Sequence, residues 1–149
     1  RGLLDEALDV ARQSDVGFHL LDRIYGTRIA MATQPDAALG VLEEAEANVR
    51  GPLESCPGCR ITFAIPATIA AARAHELDLA ASHQQQSEYL ANVVMKLPAW
   101  YASLHEAQAH IERAAGRVAA AREGFVAAAR EFHACGHALD AARCRESAG

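Results

Sequence analysis

The stretch AHIERAAGRVAAAREGFVAA, residues 109–128, decides the fold because it contains two helical segments separated by a glycine. Alanine and charged residues favour helix in both segments, and Gly116 permits a turn between them. Small or apolar residues recur where two antiparallel helices would cross, and small side chains let helices approach closely. These positions are Ala109, Ala121, Phe125 and Ala128. The stretch therefore predicts a tightly packed helix pair.

The same spacing occurs twice more along the chain. An earlier copy places Gly26, Ala38, Leu42 and Ala45 at the corresponding positions. A middle copy is degenerate because three of its four positions carry polar residues that fit poorly. Its residues are Thr68, Ala80, Gln84 and Ser87. The copies are 42 and then 41 residues apart, and this near-equal spacing favours helical repeats over an alanine-rich bundle with chance matches.

Glycine and proline divide the whole chain into predicted helices. The predicted helices span residues 2–12, 18–32, 35–49, 60–74, 78–96, 97–115, 117–134 and 137–147. The segment 51–59, GPLESCPGC, is predicted to be a loop because it holds two prolines and two glycines, and Pro66 predicts a kink in its helix. No alternating strand pattern is present. We therefore expect one all-α domain of about seven to eight helices over residues 1–149.

Composition limits the function classes. The chain has 149 residues, is 51% hydrophobic with only 5% aromatic residues, and carries a net charge of −5. An acidic chain without a basic face is not expected to bind nucleic acid or an anionic membrane. Its four cysteines favour a reducing cytoplasm over a disulfide framework, since no secretory signal is visible. Because the chain starts at Arg1 inside a predicted helix, we expect it to be a piece of a longer protein.

The repeat positions and two phrases resemble a known family. The phrases are Pro35-Asp36-Ala37-Ala38-Leu39 and Ala138-Leu139-Asp140-Ala141-Ala142-Arg143-Cys144-Arg145. They are similar to the tetratricopeptide-like region of large bacterial regulators, namely LuxR/MalT-type and AfsR-type transcription regulators and related cyclase-linked ATPases, common in actinobacteria. The resemblance implies a right-handed superhelical stack of antiparallel helix pairs that acts as a sensor or scaffold beside an NTPase module. This segment has neither a Walker A sequence nor a basic helix-turn-helix, so ATP or DNA chemistry is expected elsewhere in the parent protein.

The first helices of such pairs line a concave groove, which predicts binding residues. The groove candidates are Arg23, Thr27, Met31, Arg73, Ser103, Glu106, His110 and Arg113. Three arginines along one groove favour an acidic or carboxylate-bearing ligand, although they can also serve only to keep the surface soluble. Asparagine is absent from the first helices, which argues against a chaperone-type peptide clamp. We expect a non-catalytic scaffold, without a cofactor, for a protein or peptide partner or another module of the same parent chain. Alternatively, the segment only connects or homodimerises modules.

Cysteine and histidine provide the alternative hypothesis, a zinc- or thiol-dependent redox sensor. Cys56 and Cys59 form a Cys-x-x-Cys motif before a predicted helix, where a thiolate is stabilised. A zinc site would need further ligands, and the candidates include Cys135 and His137. In the expected repeat geometry these lie on the order of 20 Å from the motif, since neighbouring helix axes are about 8–10 Å apart. We therefore expect no metal site, and we expect the residues around Gly136 to form a helix C-terminus.

Overall fold

The computed structural model describes residues 2–14, 17–48 and 56–149, and all structural statements refer to these ranges. Eight α-helices lie within them, together with a π-helical segment, Leu90–Met95, that continues α5. The helices are α1 (Leu3–Gln13), α2 (Phe18–Met31), α3 (Pro35–Asn48), α4 (Pro57–Arg73), α5 (Leu77–Tyr89), α6 (Pro98–Ala114), α7 (Val118–Ala134) and α8 (Ala138–Ala148). No strand occurs in these ranges, so the predicted all-α class is confirmed. None of the described helices is long and apolar enough to cross a membrane.

The loop prediction for residues 51–59 is wrong at its end. Helix α4 begins at Pro57, with Cys56 as its N-cap, so Cys59 lies in the first helical turn and is buried. Proline is tolerated at the first helical position because the N–H that it lacks has no intrahelical partner there. Residues 51–55 lie outside the described part of the chain.

Sequential helices pack against each other, and alternate helices also touch. Helix α4 contacts α5, but it also packs on α2 and α6, which places these three helices side by side. A close approach of α2 and α4 depends on Gly26, because a Cβ there would lie 2.0 Å from the carbonyl oxygen of Thr62. That carbonyl cannot accept its usual helical hydrogen bond, since Pro66 has no N–H. Helix α4 nevertheless continues without a break through Pro66.

Equivalent helices of the second and third predicted units begin at positions that are 41 residues apart. Helices α4 and α6 both have 17 residues, both start with proline, and begin at Pro57 and Pro98. Helices α5 and α7 begin at Leu77 and Val118, which is the same offset. The register predicted from residues 109–128 is therefore present in both units.

The polar residues of the middle unit occupy their positions better than the sequence suggested. Thr68, Gln84 and Ser87 are buried, as are their counterparts in the third unit. The hydroxyl groups of Thr68 and Ser87 donate to carbonyl oxygens one turn earlier in their own helices, at 2.9 and 2.8 Å. Gln84 is less well accommodated, because its Nε2 donates to Glu88 while its buried Oε1 has no partner among the described residues.

Three helix-to-helix turns share one hydrogen-bond pattern. His75, Gly116 and Gly136 each have a positive φ, of 63°, 77° and 80°. In each turn, the N–H of the next residue donates to the carbonyl five residues earlier at 2.9 Å, as in a Schellman motif. The residues around Gly136 thus end α7, as the sequence predicted. The turn at His75 differs because it places a β-carbon in the left-handed region.

Candidate ligand-binding cavity

A cavity of about 690 Å³ is lined mainly by residues of α4, α6 and α8, with a few from α2, α3 and α7. Each of these helices contributes three lining residues at positions i, i+3 and i+7, which share one helix face. The lining residues at these positions are Thr62, Ile65 and Ile69 on α4, Ser103, Glu106 and His110 on α6, and Asp140, Arg143 and Ser147 on α8. Helical periodicity therefore directs three parallel sets of side chains into one space.

One side of the cavity is apolar. We call it the apolar wall and define it as Ile65, Pro66, Ile69 and Ala70 of α4 with Trp100 of α6. Ile65 and Ile69 lie 41 residues before Glu106 and His110, so the two helices place opposite chemistry at equivalent positions. A ligand in this space would meet hydrocarbon on α4 and polar groups on α6 and α8.

An ion pair joins α6 to α8 on the polar side, between the buried Glu106 and the half-exposed Arg143. Arg143 donates to the Glu106 carboxylate through Nε at 2.8 Å and through Nη2 at 2.7 Å, and its Nη1 donates to Asp140 at 2.6 Å. Glu106 is only 3% exposed, so its charge needs such a partner. The hydrogen bonds to Glu106 raise the pKa of Arg143. The Glu106 carboxylate thus accepts two charge-assisted hydrogen bonds from one guanidinium.

Two further arginines lie at the C-terminal ends of α4 and α6. Arg73 donates to the backbone carbonyl of Thr33 at 2.6 Å, and Arg113 donates to the carbonyl of Ser147. The Arg113 guanidinium also lies 4.5 Å from the ring centroid of Phe125. A guanidinium has five N–H donors, and each of these backbone bonds uses one Nη atom. Both groups therefore retain donors that can reach a ligand in the cavity.

His110 lies among these arginines. Burial lowers its pKa to about 4, and the positive charges of Arg113, Arg73 and Arg143 act in the same direction. Its ring packs edge-on against Phe125, with centroids 4.9 Å apart. At neutral pH the ring is uncharged and offers one N–H donor and one acceptor nitrogen. We call the set of Arg73, His110 and Arg113 the arginine-rich end.

Five of the eight groove candidates come together at the cavity, and three do not. Arg73, Ser103, Glu106, His110 and Arg113 line it. The candidates on α2 lie elsewhere: Met31 is 68% exposed, and the Thr27 hydroxyl donates to the carbonyl of Arg23. Arg23 lies beside the thiols of Cys56 and Cys59, where its charge favours thiolate. From α2 the cavity receives Ile29 and Ala30 instead.

The sequence analysis did not identify the cavity-lining residues at positions i, i+3 and i+7 of α4 and α8. Subtracting the 41-residue offset from Ser103, Glu106 and His110 gives Thr62, Ile65 and Ile69, so the repeat itself contained that signal. Asp140 and Arg143 of α8 lie within the phrase that suggested the family resemblance, and Ser147 continues their i, i+3, i+7 spacing two residues beyond it. Only the pairing of Arg143 with Glu106 required the structure, because it joins residues 37 positions apart.

The cysteines form a separate feature. All four are free thiols, and Cys56 is exposed at the N-cap of α4. Its pKa is lowered, first by the backbone N–H of Cys59, whereas burial raises the pKa of Cys59. Of the other metal-ligand candidates, Cys135 follows the end of α7, and His137 contacts Asp140 at 3.3 Å. Among the described residues, no group of three or more histidine, cysteine or acidic side chains could hold a metal ion.

No protein-family model, curated protein or solved structure matches this chain at a significant level. The residues of the cavity are therefore the basis for the function proposed below.

Proposed function

We propose that this chain is a non-catalytic binding module, a tetratricopeptide-like solenoid whose concave face holds a ligand or a partner. One observation carries the proposal: three alternate helices direct the same i, i+3, i+7 positions into one cavity. In a solenoid, the first helix of each pair lines the concave surface, which matches the roles of α4, α6 and α8. Convergent polar groups beside an apolar wall are the usual composition of a binding pocket.

The solenoid arrangement is supported by the repeated features of the second and third units. Their helices share the 41-residue offset, and the turns at His75 and Gly116 have the same hydrogen bonds. Helices α2, α4 and α6 also lie side by side, as first helices do in a stack of pairs. These features support the right-handed superhelix that the family resemblance implies and that we propose here.

The resemblance supports the biological context that we propose. This context is a cytoplasmic, signal-transducing bacterial transcription regulator whose partner is a protein, a peptide or another module of the same chain. A scaffold role fits the polar groups at the cavity, because Arg143 engages Glu106 through two hydrogen bonds and His110 is uncharged. We propose no cofactor and no direct contact with nucleic acid. A homodimer formed through the same segment is the alternative, which sedimentation equilibrium would detect.

Site-specific photo-crosslinking in cells that express the full-length gene product tests the binding role. A photoreactive amino acid replaces Ala99, which lines the cavity, or Ala119, which is exposed on α7. We expect adducts from Ala99 and few from Ala119. A second substitution, Ser103→Trp, fills the cavity and should abolish the Ala99 adducts.

The matched control for the filling substitution is Arg130→Trp, which places a tryptophan at an exposed position of α7. This variant should leave the Ala99 adducts unchanged, and circular dichroism establishes that both variants are helical. Equal adduct yields at both faces, or Ala99 adducts that survive Ser103→Trp in a folded protein, would show that the cavity is not the binding site.

A thiol-based redox sensor at Cys56 and Cys59 is a second candidate function. The observation that favours it is the position of Cys56, where helix N–H groups and the Cys59 side chain lower its thiol pKa. Cys59 is buried and has a raised pKa, so it would be the resolving thiol. Oxidation by a peroxide would join the two sulfurs, with both thiol protons and the electron pair reducing the peroxide to water.

Competitive alkylation with iodoacetamide tests this candidate. Cys56 should react faster than Cys135, and dilute hydrogen peroxide should protect Cys56 and Cys59 together. If Cys56 and Cys135 react at the same rate at pH 7, and peroxide yields no Cys56–Cys59 disulfide by mass spectrometry, the redox hypothesis is wrong.

A further inference from the structure

The chemistry of the cavity is divided along two directions. Across the cavity, the apolar wall of α4 faces the polar residues of α6 and α8. Along the helices, the arginine-rich end lies where α4 and α6 terminate, whereas Trp100 lies near the start of α6. A matching ligand therefore has an apolar body and a polar group at one end.

The sign of the charge at that end follows from its neighbours. Three guanidinium groups line the cavity against two carboxylates, so these five groups together carry one net positive charge. Both carboxylates, Glu106 and Asp140, already accept hydrogen bonds from Arg143. The remaining positive charge belongs to Arg73 and Arg113, whose bonded partners are backbone carbonyls rather than anions. A cationic ligand would be repelled there, and an anionic group would be attracted.

The arginine-rich end matches a ligand group with a single negative charge better than one with a double negative charge. The C-terminal ends of α4 and α6 bring partial negative charge, about half a unit each, close to the same arginines. A guanidinium also binds the two oxygens of a carboxylate with parallel hydrogen bonds. Neutral His110 can add one N–H donor beside them.

The size of the cavity suits a small molecule. Its volume of about 690 Å³ falls within the range of roughly 300–1,000 Å³ typical of small-ligand pockets. An apolar body on Ile65, Ile69 and Trp100 would leave water, which supplies most of the binding free energy in such pockets.

We propose that the cavity binds a small organic carboxylate whose apolar body lies on the apolar wall and whose carboxylate is held by Arg73 and Arg113 beside His110. This inference rests on the proposed binding function and specifies its ligand class. A sensor module of this kind would report the concentration of an amphipathic acid.

Isothermal titration calorimetry with matched probes tests the ligand class. The probes are straight-chain and phenyl-substituted carboxylic acids of roughly six to twelve carbons, each paired with its primary amide and the corresponding alkyl phosphate. We expect at least one acid to bind about tenfold or more tightly than its amide, since only the acid pairs with guanidinium. Nuclear magnetic resonance places the acid by the shifts of the His110 ring, whose pKa should rise when a carboxylate enters among Arg73, Arg113 and Arg143.

Variants separate the two parts of the site. Arg73→Gln and Arg113→Gln should each weaken acid binding about tenfold and leave amide binding unchanged. Arg130→Gln, on α7 outside the cavity, is the matched control and should change neither. Ile69→Ser should weaken acid and amide equally, because it removes part of the apolar wall. If Arg113→Gln loses its fold with the Ser147 contact, Arg73→Gln alone decides the result.

Several results would overturn the carboxylate assignment. These are acids that bind no better than their amides across the whole set, a phosphate that binds tenfold more tightly than the matching acid, or Arg73→Gln without effect. Each leaves the binding module itself intact, because the crosslinking of Ala99 is a separate measurement. Loss of the Ala99 adducts would instead remove the proposed function, and with it the reason to expect any ligand.

Discussion

The second and third helix pairs have the same backbone plan and different side chains. Their equivalent positions are separated by 41 residues throughout, including the prolines that start α4 and α6 and the turns at His75 and Gly116. At the core position where α7 has Phe125, α5 has Gln84, yet both are buried. At the cavity positions where α6 has Glu106, α4 has Ile65.

The comparison shows that position in the repeat, rather than polarity, determines burial. Thr68 and Ser87 are tolerated because each hydroxyl donates to a carbonyl of its own helix, so no partner from another helix is needed. Gln84 has a longer side chain with two polar ends, and only its Nε2 has a described partner. Gln84 is thus the weak point in the core of the second unit, and α6 of the third unit supplies part of the polar side of the cavity.

The largest expected effect on stability comes from truncating Phe125, the core residue of the third unit. Phe125→Ala should lower the free energy of unfolding by about 3–5 kcal/mol, since a fully buried ring is lost and a cavity remains. Gln84→Ala, at the equivalent position, should cost much less because the side chain is already poorly satisfied. Urea denaturation followed by circular dichroism measures both values. Equal losses would mean that the two units do not differ in this way.

Acid should destabilise the third unit through His110, for which the second unit has Ile69. The folded-state pKa of about 4 lies below the ordinary value of 6.5, so the folded protein binds fewer protons than the unfolded chain. The contribution of neutral His110 to stability is therefore fully present above about pH 6.5. It is lost as the pH falls towards 4, which lowers the free energy of unfolding by up to about 3 kcal/mol. His110→Ile, which copies the second unit, should flatten this slope. Some acid dependence should remain, because burial also lowers the pKa of His83. An unchanged pH profile in the variant would contradict the assignment.

An apolar residue at position 84, as at the equivalent positions Leu42 and Phe125, should increase stability. Gln84→Leu removes the buried Oε1 that has no described partner, and we expect a gain of about 1 kcal/mol. Glu88, the acceptor of the Gln84 amide, is exposed and can be hydrated instead. Gln85→Leu is the matched control on the exposed face and should stay within about 0.5 kcal/mol of the parent. A loss of stability in Gln84→Leu would show that the amide is better satisfied than its contacts indicate.

These comparisons also show how much the sequence could predict. The helices, the crossing positions and the end of α7 near Gly136 followed from periodicity and local residue preference, which act over a few residues. The start of α4 at Pro57 was missed because prolines and glycines count equally for a loop and for a helix N-terminus. The groove candidates on α2 were misplaced relative to the cavity because which helices surround a space depends on tertiary packing. Arg143 was not among the groove candidates, since nothing local links it to Glu106.

The smallest expected effect concerns the two equivalent turns. His75 and Gly116 both have φ in the left-handed region, at 63° and 77°, and both donate to the carbonyl three residues earlier. A β-carbon in this region costs about 1 kcal/mol, whereas glycine adopts it without strain. His75→Gly should therefore stabilise the protein by up to about 1 kcal/mol, and Gly116→Ala should destabilise it by a similar amount. Thermal unfolding of both variants checks the pair. Opposite signs are the decisive feature: a shared turn geometry requires them, whereas two losses would mean that the His75 side chain contributes contacts that outweigh its backbone strain.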